Sequence, residues 1–309
     1  MSTLLITGGN GFIGSYLLKE LNLCDYNIIL LKRSSSDTYR INSLINEIHV
    51  YDIDKIALED IFKNHKINGV IHLSTFYVKT HVSHDIDKMI ETNITFPTKI
   101  LDLSIKHNVN FFINTGTFFE YSLFANPINE SSKKHPYNLY AATKLSFEHM
   151  LELYSRQSNI HILSLKLSAP FGYNDNYKLI PYLITSILTN QEVILEKGEQ
   201  EWDFIYVKDV ISAFLQAIKL CLNSKRTLFE EILIGSGKKT KISKITNILN
   251  KIHKKNLIHL KNDYKENQIF EAYLDISKAK NMLQWVPQYS IEEGLEETYN
   301  LYKENQNEK

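Results

Sequence analysis

A strand-length apolar run, Leu4-Leu5-Ile6, breaks directly into Thr7-Gly8-Gly9-Asn10-Gly11-Phe12-Ile13-Gly14 and then into a stretch with helical periodicity. Glycines three apart at such a junction leave few folds open. Gly8 permits a tight turn, Gly11 lets the backbone approach a diphosphate, and Gly14 lets helix and strand pack closely. The helix that follows presents unpaired N–H groups and the positive end of its dipole, which favour a phosphate. A strand, this loop and a helix open a βαβ unit that binds a dinucleotide.

The alternation continues. Short apolar runs near residues 4–7, 28–31, 48–51, 70–73, 111–115 and 162–167 are separated by helical patterns, so a parallel sheet covered on both faces is expected. This is an α/β chain with a doubly wound, Rossmann-type sheet. Two long helical stretches span 86–107 and 137–156, and Pro97 inside the first predicts a kink or restart there. Residues 1–167 form the dinucleotide-binding part. After the turn-rich segment 168–176 the pattern loosens into a helix near 178–188, short strands at 192–195, 204–207 and 232–234, and helices at 209–219 and 242–253. These are assigned mostly to a smaller C-terminal α/β lobe over 168–309, with some segments returning to the sheet.

Tyr140-Ala-Ala-Thr-Lys144 supplies chemistry to match the cradle. Residues four apart share a helix face, so the phenol and the ammonium reach the same site. Lys144 is expected to make Tyr140 more acidic than its ordinary pKa of about 10. Thr115, at the carboxyl end of the fifth strand, stands where such sheets bind ligands and offers a hydroxyl to the reacting oxygen. At the end of the second strand, Lys32-Arg33 replaces the carboxylate that an NAD site offers to the adenosine ribose, which favours NADP(H); two basic residues there also suit a solvated strand end. Asp52, past the third strand, is a candidate acceptor for the adenine amino group, or an ordinary loop aspartate.

Composition excludes other classes. Thirty-five basic residues balance 35 acidic ones, so nothing points to nucleic acid or a membrane surface, and the lysines between 238 and 255 are spaced like a solvated helix face. Cys24 and Cys221 are isolated, without the spacing of a disulfide framework or a metal site. No apolar run reaches bilayer length and no secretory leader precedes the first strand, so a cytoplasmic location is expected. Asn93-Ile-Thr and Asn129-Glu-Ser are then accidental matches to a glycosylation acceptor.

With these pieces stand Tyr51-Asp52-Ile53-Asp54, Ile71-His72-Leu73-Ser74, Asn93, Asp203-Phe-Ile-Tyr-Val-Lys-Asp209, Ile234-Gly-Ser-Gly-Lys238, Asp275-Ile-Ser-Lys-Ala-Lys280 and Trp285-Val-Pro287. Together they resemble, over nearly the whole chain, the extended short-chain dehydrogenase/reductase family of nucleotide-sugar epimerases, dehydratases and ketoreductases. The resemblance implies a catalytic set of Thr115, Tyr140 and Lys144, with Thr115 favoured over Thr117 by its 25-residue separation from Tyr140. It implies cofactor contacts from Gly8, Gly11, Phe12, Ile13, Gly14, Lys32, Arg33, Ser34, Asp52, Ile53, Leu73, Ser74, Asn93 and Lys144. Substrate contacts fall to Phe76, Thr117, Ala169, Lys178, Trp202 and Lys265, with Lys238 a further diphosphate candidate. It also implies a homodimer through the helices 86–107 and 137–156.

Departures from the family pattern choose among its members. Sugar 4,6-dehydratases resemble Thr-Asp-Glu where this chain has Thr115-Gly116-Thr117, so the acid and base for eliminating water are missing. The family's Arg before Asp-Phe is replaced by Trp202, and its Asn before the Tyr-Gly turn by Ala169. The segment around Asn114-Thr-Gly-Thr-Phe-Phe119 is similar to CDP-abequose and CDP-paratose synthases. An NADPH-dependent reduction of the 4-keto group of a nucleotide-linked 6-deoxy or 3,6-dideoxy hexulose is expected, with CDP favoured over dTDP or GDP, in O-antigen or other surface-polysaccharide synthesis. The alternative is a 4-epimerase that keeps a tightly bound NAD. No metal is expected.

Overall fold

The computed structural model describes residues 1–306 apart from 25, 125, 177, 225–228 and 262–270. Six strands follow one another as β1 (Thr3–Thr7), β2 (Asn27–Lys32), β3 (His49–Asp52), β4 (Gly69–His72), β5 (Phe111–Thr117) and β6 (His161–Leu167). Shorter strands come next: β7 (Ala169–Phe171), β8 (Val193–Leu195), β9 (Glu201–Trp202) and β10 (Phe204–Tyr206). The longer β11 (Phe229–Ile234) precedes the short β12 (Thr240–Lys241), β13 (Ile258–Leu260) and β14 (Glu271–Ala272). The helices are α1 (Phe12–Leu23), α2 (Leu58–Asn64), α3 (Asp85–Ile90), α4 (Phe96–Lys106), α5 (Leu139–Gln157), α6 (Leu179–Leu188), α7 (Val207–Asn223), α8 (Ile242–His253), α9 (Ser277–Leu283) and α10 (Ile291–Gln306).

Seven parallel strands form the main sheet in the order β11-β6-β5-β4-β1-β2-β3. The doubly wound α/β architecture expected from the apolar alternation is therefore the one found. Chain order reverses at β1, which pairs with β2 on one side and β4 on the other, and a ligand crevice opens outside the carboxyl ends of strands at such a reversal. Successive side chains point to opposite faces. Leu4, Ile6, Ile71 and Ile113 enter one core with Leu17, Leu21, Val210 and Phe214 of α1 and α7. Leu5, Val70, Phe112 and Ile162 enter the other with Ile61, Leu101, Phe147 and Leu151 of α2, α4 and α5. Burial on both faces is why these strands read as unbroken apolar runs. Truncating Phe112 or Phe147 to Ala would cost about 3–5 kcal/mol.

The break expected at Pro97 has a different form. A π turn at Glu91–Thr95 joins α3 to α4 with no break in the helical backbone, and Pro97 follows it directly, so the bond that its missing N–H cannot make is lost where the helix has already widened. A second finding concerns the chain beyond residue 167. It was expected mostly in the smaller lobe, with some unspecified segments returning to the sheet; β11 pairs with β6 from Phe229↔Ile162 to Ile234↔Leu167, and α7 packs against α1. Without β11, β6 would present an open edge. The short strands form small sheets: β7 with β10, β8 with β13, and β9 between β12 and β14.

Two buried aspartates fasten the lobe. Asp203 accepts from the backbone N–H groups of Ser236 (2.6 Å), Gly237 (3.1 Å) and Leu274 (3.2 Å) and from Ser236 Oγ (2.8 Å). Asp209 accepts from the N–H groups of Gln288 (2.8 Å) and Tyr289 (3.0 Å), and Trp285 Nε1 donates to Ser212 Oγ at 2.7 Å. The motifs at 203–209, 234–238 and 285–287 thus tie distant segments together. Among the described residues no helix is long and apolar enough to cross a membrane.

Candidate active site

The glycine loop and the end of β5 open into one cleft of about 1240 Å³. At its floor Gly8 has φ +72°, and a Cβ there would stand 2.6 Å from Ser74 N. A Cβ on Gly14 would lie 2.2 Å from Gly8 O, so helix and loop touch backbone to backbone. α1 begins at Gly11 with no side-chain cap and no acidic residue in its first turn, which leaves its N–H groups and positive dipole end for a ligand. The loop is braced from β4: Thr7 Oγ1 lies 2.7 Å from His72 Nδ1 and accepts from Ser74 N at 3.2 Å. Burial holds His72 well below the usual histidine range, with the Lys144 charge acting in the same direction, so it is neutral. Thr115 Oγ1 and Ser168 Oγ line the cleft and are buried without a partner. A cradle that admits no side chain, together with two orphan hydroxyls, fits a nicotinamide dinucleotide.

At the adenosine end the residues differ from expectation. Lys32 donates to Asp52 Oδ1 at 2.5 Å, and Lys55 lies 3.3 Å from Asp52 Oδ2. Lys32 is therefore neutralised, Asp52 is already engaged and held below the usual carboxylate range by the Lys32 hydrogen bond, and Arg33 is left as the exposed cation beside them. The cause is strand register, because Lys32 sits directly opposite Asp52. Ser34 donates to Asp54 through both its N–H and its hydroxyl, so Asp54, which the sequence reading left without a role, brings a carboxylate to this end of the cleft.

The chemical end is built on the start of α5, where Asn138 caps the helix by accepting from Ala141 N at 2.9 Å. Tyr140 packs edge-on to Tyr77 at a ring separation of 4.8 Å and is hydrogen-bonded to the Thr75 side chain. The acidity expected of Tyr140 is reversed. Burial pushes the phenol above its ordinary value and Glu120 adds to this, while the Thr75 bond and the Lys166 charge oppose it. Lys144 makes no hydrogen bond or ion pair with any described residue, and burial draws its ammonium down to about 8 against the pull of Glu120. Of the two candidate threonines, Thr117 spends its hydroxyl accepting from Phe119 N at 3.3 Å, whereas Thr115 is free.

An aromatic wall faces this end. Phe119 stacks on Tyr137 at 5.5 Å, and Trp202 meets the rings of Phe118 at 6.2 Å and Phe119 at 5.9 Å. Ala169, Lys178 and Trp202 line the cleft, as do Phe12, Ile13, Ile53, Leu73 and Ser74. Lys178 donates to Pro170 O at 3.3 Å and lies 3.1 Å from Asp175, whose buried carboxyl is raised to about 6 by burial despite that lysine. Four candidates lie outside the lining, Ser34 and Asp52 at the adenosine end and two more beneath this one. Asn93 is buried under the cleft, and Phe76 turns its ring to Lys88 while its backbone bonds to Asn93; Thr75 and Tyr77 line the cleft in their place. Lys238 is also outside the lining, and Lys265 lies outside the described residues. Among the described residues no cluster of His, Cys, Asp or Glu could hold a metal.

Comparison with known proteins agrees with this geometry. A sequence profile described as the NAD dependent epimerase/dehydratase family matches residues 4–229. The chain is 27% identical to a CDP-abequose synthase of Salmonella muenchen over 96% of its own length and 97% of that protein. It is 28% identical to a putative UDP-glucose 4-epimerase of Methanocaldococcus jannaschii over 98% and 99%. Among solved structures, the UDP-glucuronic acid 4-epimerase of Bacillus cereus, in complex with UDP-glucuronic acid and NAD, superposes with a TM-score of 0.86 at 26% identity, covering 98% of this chain and 99% of that one.

Proposed function

This chain belongs to the NAD dependent epimerase/dehydratase family, and from that membership we propose that it is a cytoplasmic NADPH-dependent 4-ketoreductase of nucleotide-linked 6-deoxy or 3,6-dideoxy hexuloses. CDP sugars are favoured, with dTDP or GDP sugars as alternatives, and the product serves a surface polysaccharide such as O-antigen. The observation that carries this reading is the make-up of one wall: a protonated phenol, a free hydroxyl and a free ammonium meet the cleft, with no carboxyl group in Thr115-Gly116-Thr117.

The glycine cradle would hold the cofactor diphosphate, with Arg33 at the adenosine end and Lys144 toward the nicotinamide ribose. When bound, the reduced nicotinamide supplies hydride to the carbonyl carbon of the sugar. Tyr140 gives its phenolic proton to the sugar oxygen as that oxygen gains charge. A phenol whose pKa is raised by burial is a proton donor at neutral pH, which suits reduction better than the initial proton abstraction of an oxidative cycle. Thr115 Oγ1 donates a hydrogen bond to the same oxygen, and the Lys144 charge favours the phenolate that remains. Lys178 takes over part of the diphosphate contact that the Trp202 position gives up, while Trp202 and Phe119 offer flat apolar surface to the base or the deoxygenated sugar.

The second reading, a 4-epimerase with tightly bound NAD, is favoured by one observation: Asp54 brings a carboxylate to the end of β2. Incubation with NADPH and a panel of CDP-, dTDP- and GDP-4-keto sugars separates the two. A reductase consumes one NADPH per product, identified by mass and NMR, and Tyr140→Phe lowers turnover by about 10²–10⁴-fold while still binding NADPH. Isomerised sugar without net NADPH consumption, or a Tyr140→Phe enzyme of undiminished rate, overturns the reading. The protein is further proposed to be a homodimer through the stretches 86–107 and 137–156, because Ile86 and Ile90 on α3 and Leu153 on α5 are exposed apolar residues.

A further inference from the structure

Beneath the end of β5 lies a set of charged side chains that the proposed chemistry does not touch. Lys166 of β6, wholly buried, donates to Glu120 Oε2 at 2.5 Å and Glu148 Oε2 at 2.8 Å, and lies 3.8 Å from Glu231 Oε2. Farther out, Tyr121 OH at 2.6 Å and Lys134 both donate to Glu231 Oε2. Ser164 Oγ donates to Glu148 Oε2 at 2.7 Å, and Glu148 Oε1 is buried with no partner. The inner group therefore sets two carboxyls, Glu120 and Glu148, against one ammonium. Burying such a group costs several kcal/mol per ion, and apolar side chains of equal volume would pack as well or better. Stability alone does not account for it.

Its placement suggests what does. A Cβ on Gly116 would stand 2.8 Å from Glu120 Oε1 and 3.0 Å from Lys166 Nζ, so a single glycine separates the cluster from the cleft. Glu120 Oε1 also accepts from Thr117 N at 2.8 Å, fixing the strand end that carries Thr115. Lys144 and Glu148 are four residues apart on α5 and both buried, so they share one helix face. Charge thus reaches Lys144 from three elements: Glu120 after β5, Lys166 on β6 and Glu148 on α5. On β4 His72 is neutral, and Tyr140 and Tyr77 stand toward the cleft. With no partner of its own, Lys144 depends on this field for its proton. Burial works against the charge, Glu120 is the largest influence in its favour, Glu148 adds, and Lys166 subtracts.

We propose that the Glu120–Lys166–Glu148 cluster keeps the Lys144 ammonium charged at neutral pH through the thin wall at Gly116, with Glu120 and Glu148 as positioning residues. Lys166 lets the two carboxyls be buried together; burial raises Glu148 above its ordinary range against the pull of Lys166, so Glu120 is the larger influence on Lys144 and Glu148 the smaller. The idea rests on Lys144 serving the site proposed above. Its test reads the charge of one amine and succeeds or fails whichever sugar is reduced.

The test is competitive labelling of the full-length protein with acetic anhydride across the alkaline range, followed by mass spectrometry of the Lys144 peptide. The wild-type midpoint is expected near 8. Glu120→Gln keeps the shape and the acceptor for Thr117 N, and should move the midpoint down by about one pH unit, the size expected of one nearby charge. Glu148→Gln should move it the same way and carries the test if Glu120→Gln does not fold. Glu231→Gln disrupts the same cluster at its outer end and should leave the midpoint in place. The pH at which turnover is half lost should fall in step with the labelling midpoint. An unmoved midpoint in the inner variants, or an equal shift in Glu231→Gln, overturns the proposal and leaves the cluster a packing feature.

Discussion

A buried ammonium without a partner is held against its own preference, so Lys144 should weaken the protein that it equips. Its proton leaves at about 8 in the fold, against 10.5 in the unfolded chain. Between those values the unfolded chain binds more protons, so stability from this group rises as pH climbs from about 8 to about 10.5, and below pH 8 the full cost, about 3 kcal/mol, is present. Lys144→Met should therefore raise the urea midpoint of the cofactor-free protein at pH 7, lose that advantage above pH 10.5, and abolish turnover. Unfolding both proteins at the two pH values checks it. The pairing of Tyr140 with Lys144 was legible because helical spacing places them together. The direction of Tyr140's shift was not, since it follows from burial and from Glu120, twenty positions away along the chain. Lys32 shows the same limit: its charge is visible in the sequence, but Asp52 meets it only through the β2–β3 register.

At the scale of elements, the π turn between α3 and α4 gives Asn93 a different task from the cofactor contact expected of it. Its side chain accepts from Phe76 N at 2.8 Å and Thr75 Oγ1 at 3.2 Å, and donates to Phe76 O and Thr143 Oγ1, both at 3.0 Å. One amide thus ties the loop bearing Thr75 and Tyr77 to the helix bearing Tyr140. Asn93→Ala leaves buried backbone groups unpaired and should cost about 2–4 kcal/mol. Thermal unfolding reads the loss, and a rise in KM larger than the fall in kcat would mark the loosened loop. The long strands were legible as apolar runs between turns, and so was the cradle. Of the two- and three-residue strands, β8 and β10 were read at 192–195 and 204–207, whereas β7, β9, β12, β13 and β14 were not, because so short a run carries no period. The aromatic wall was half visible: Trp202 stood out as a departure, but its contact with Phe118 and Phe119 needs the fold to bring β9 against the end of β5.

For the whole molecule, the exposed apolar positions on α3 and α5 carry the proposed dimer. Ile86 and Ile90 are 39% exposed and Leu153 is 40% exposed. Ile90→Lys combined with Leu153→Lys should give a monomer by sedimentation with an unchanged circular dichroism spectrum; a double variant that sediments as wild type argues for another interface. That some of the second half returns to the sheet was expected, but not which segments. A six-residue run such as Phe229–Ile234 states that it is a strand but not which sheet edge it completes. That return of β11 to β6, after Trp202 and Asp203 have already contributed to the lobe, bears on how specificity could be inherited. The parts proposed to contact a sugar and the parts that complete the sheet alternate along the chain, so no single crossover between two genes could exchange one set and keep the other. New substrates would be reached here by point changes along the cleft wall, at positions such as Trp202 and Phe119, rather than by trading lobes between relatives.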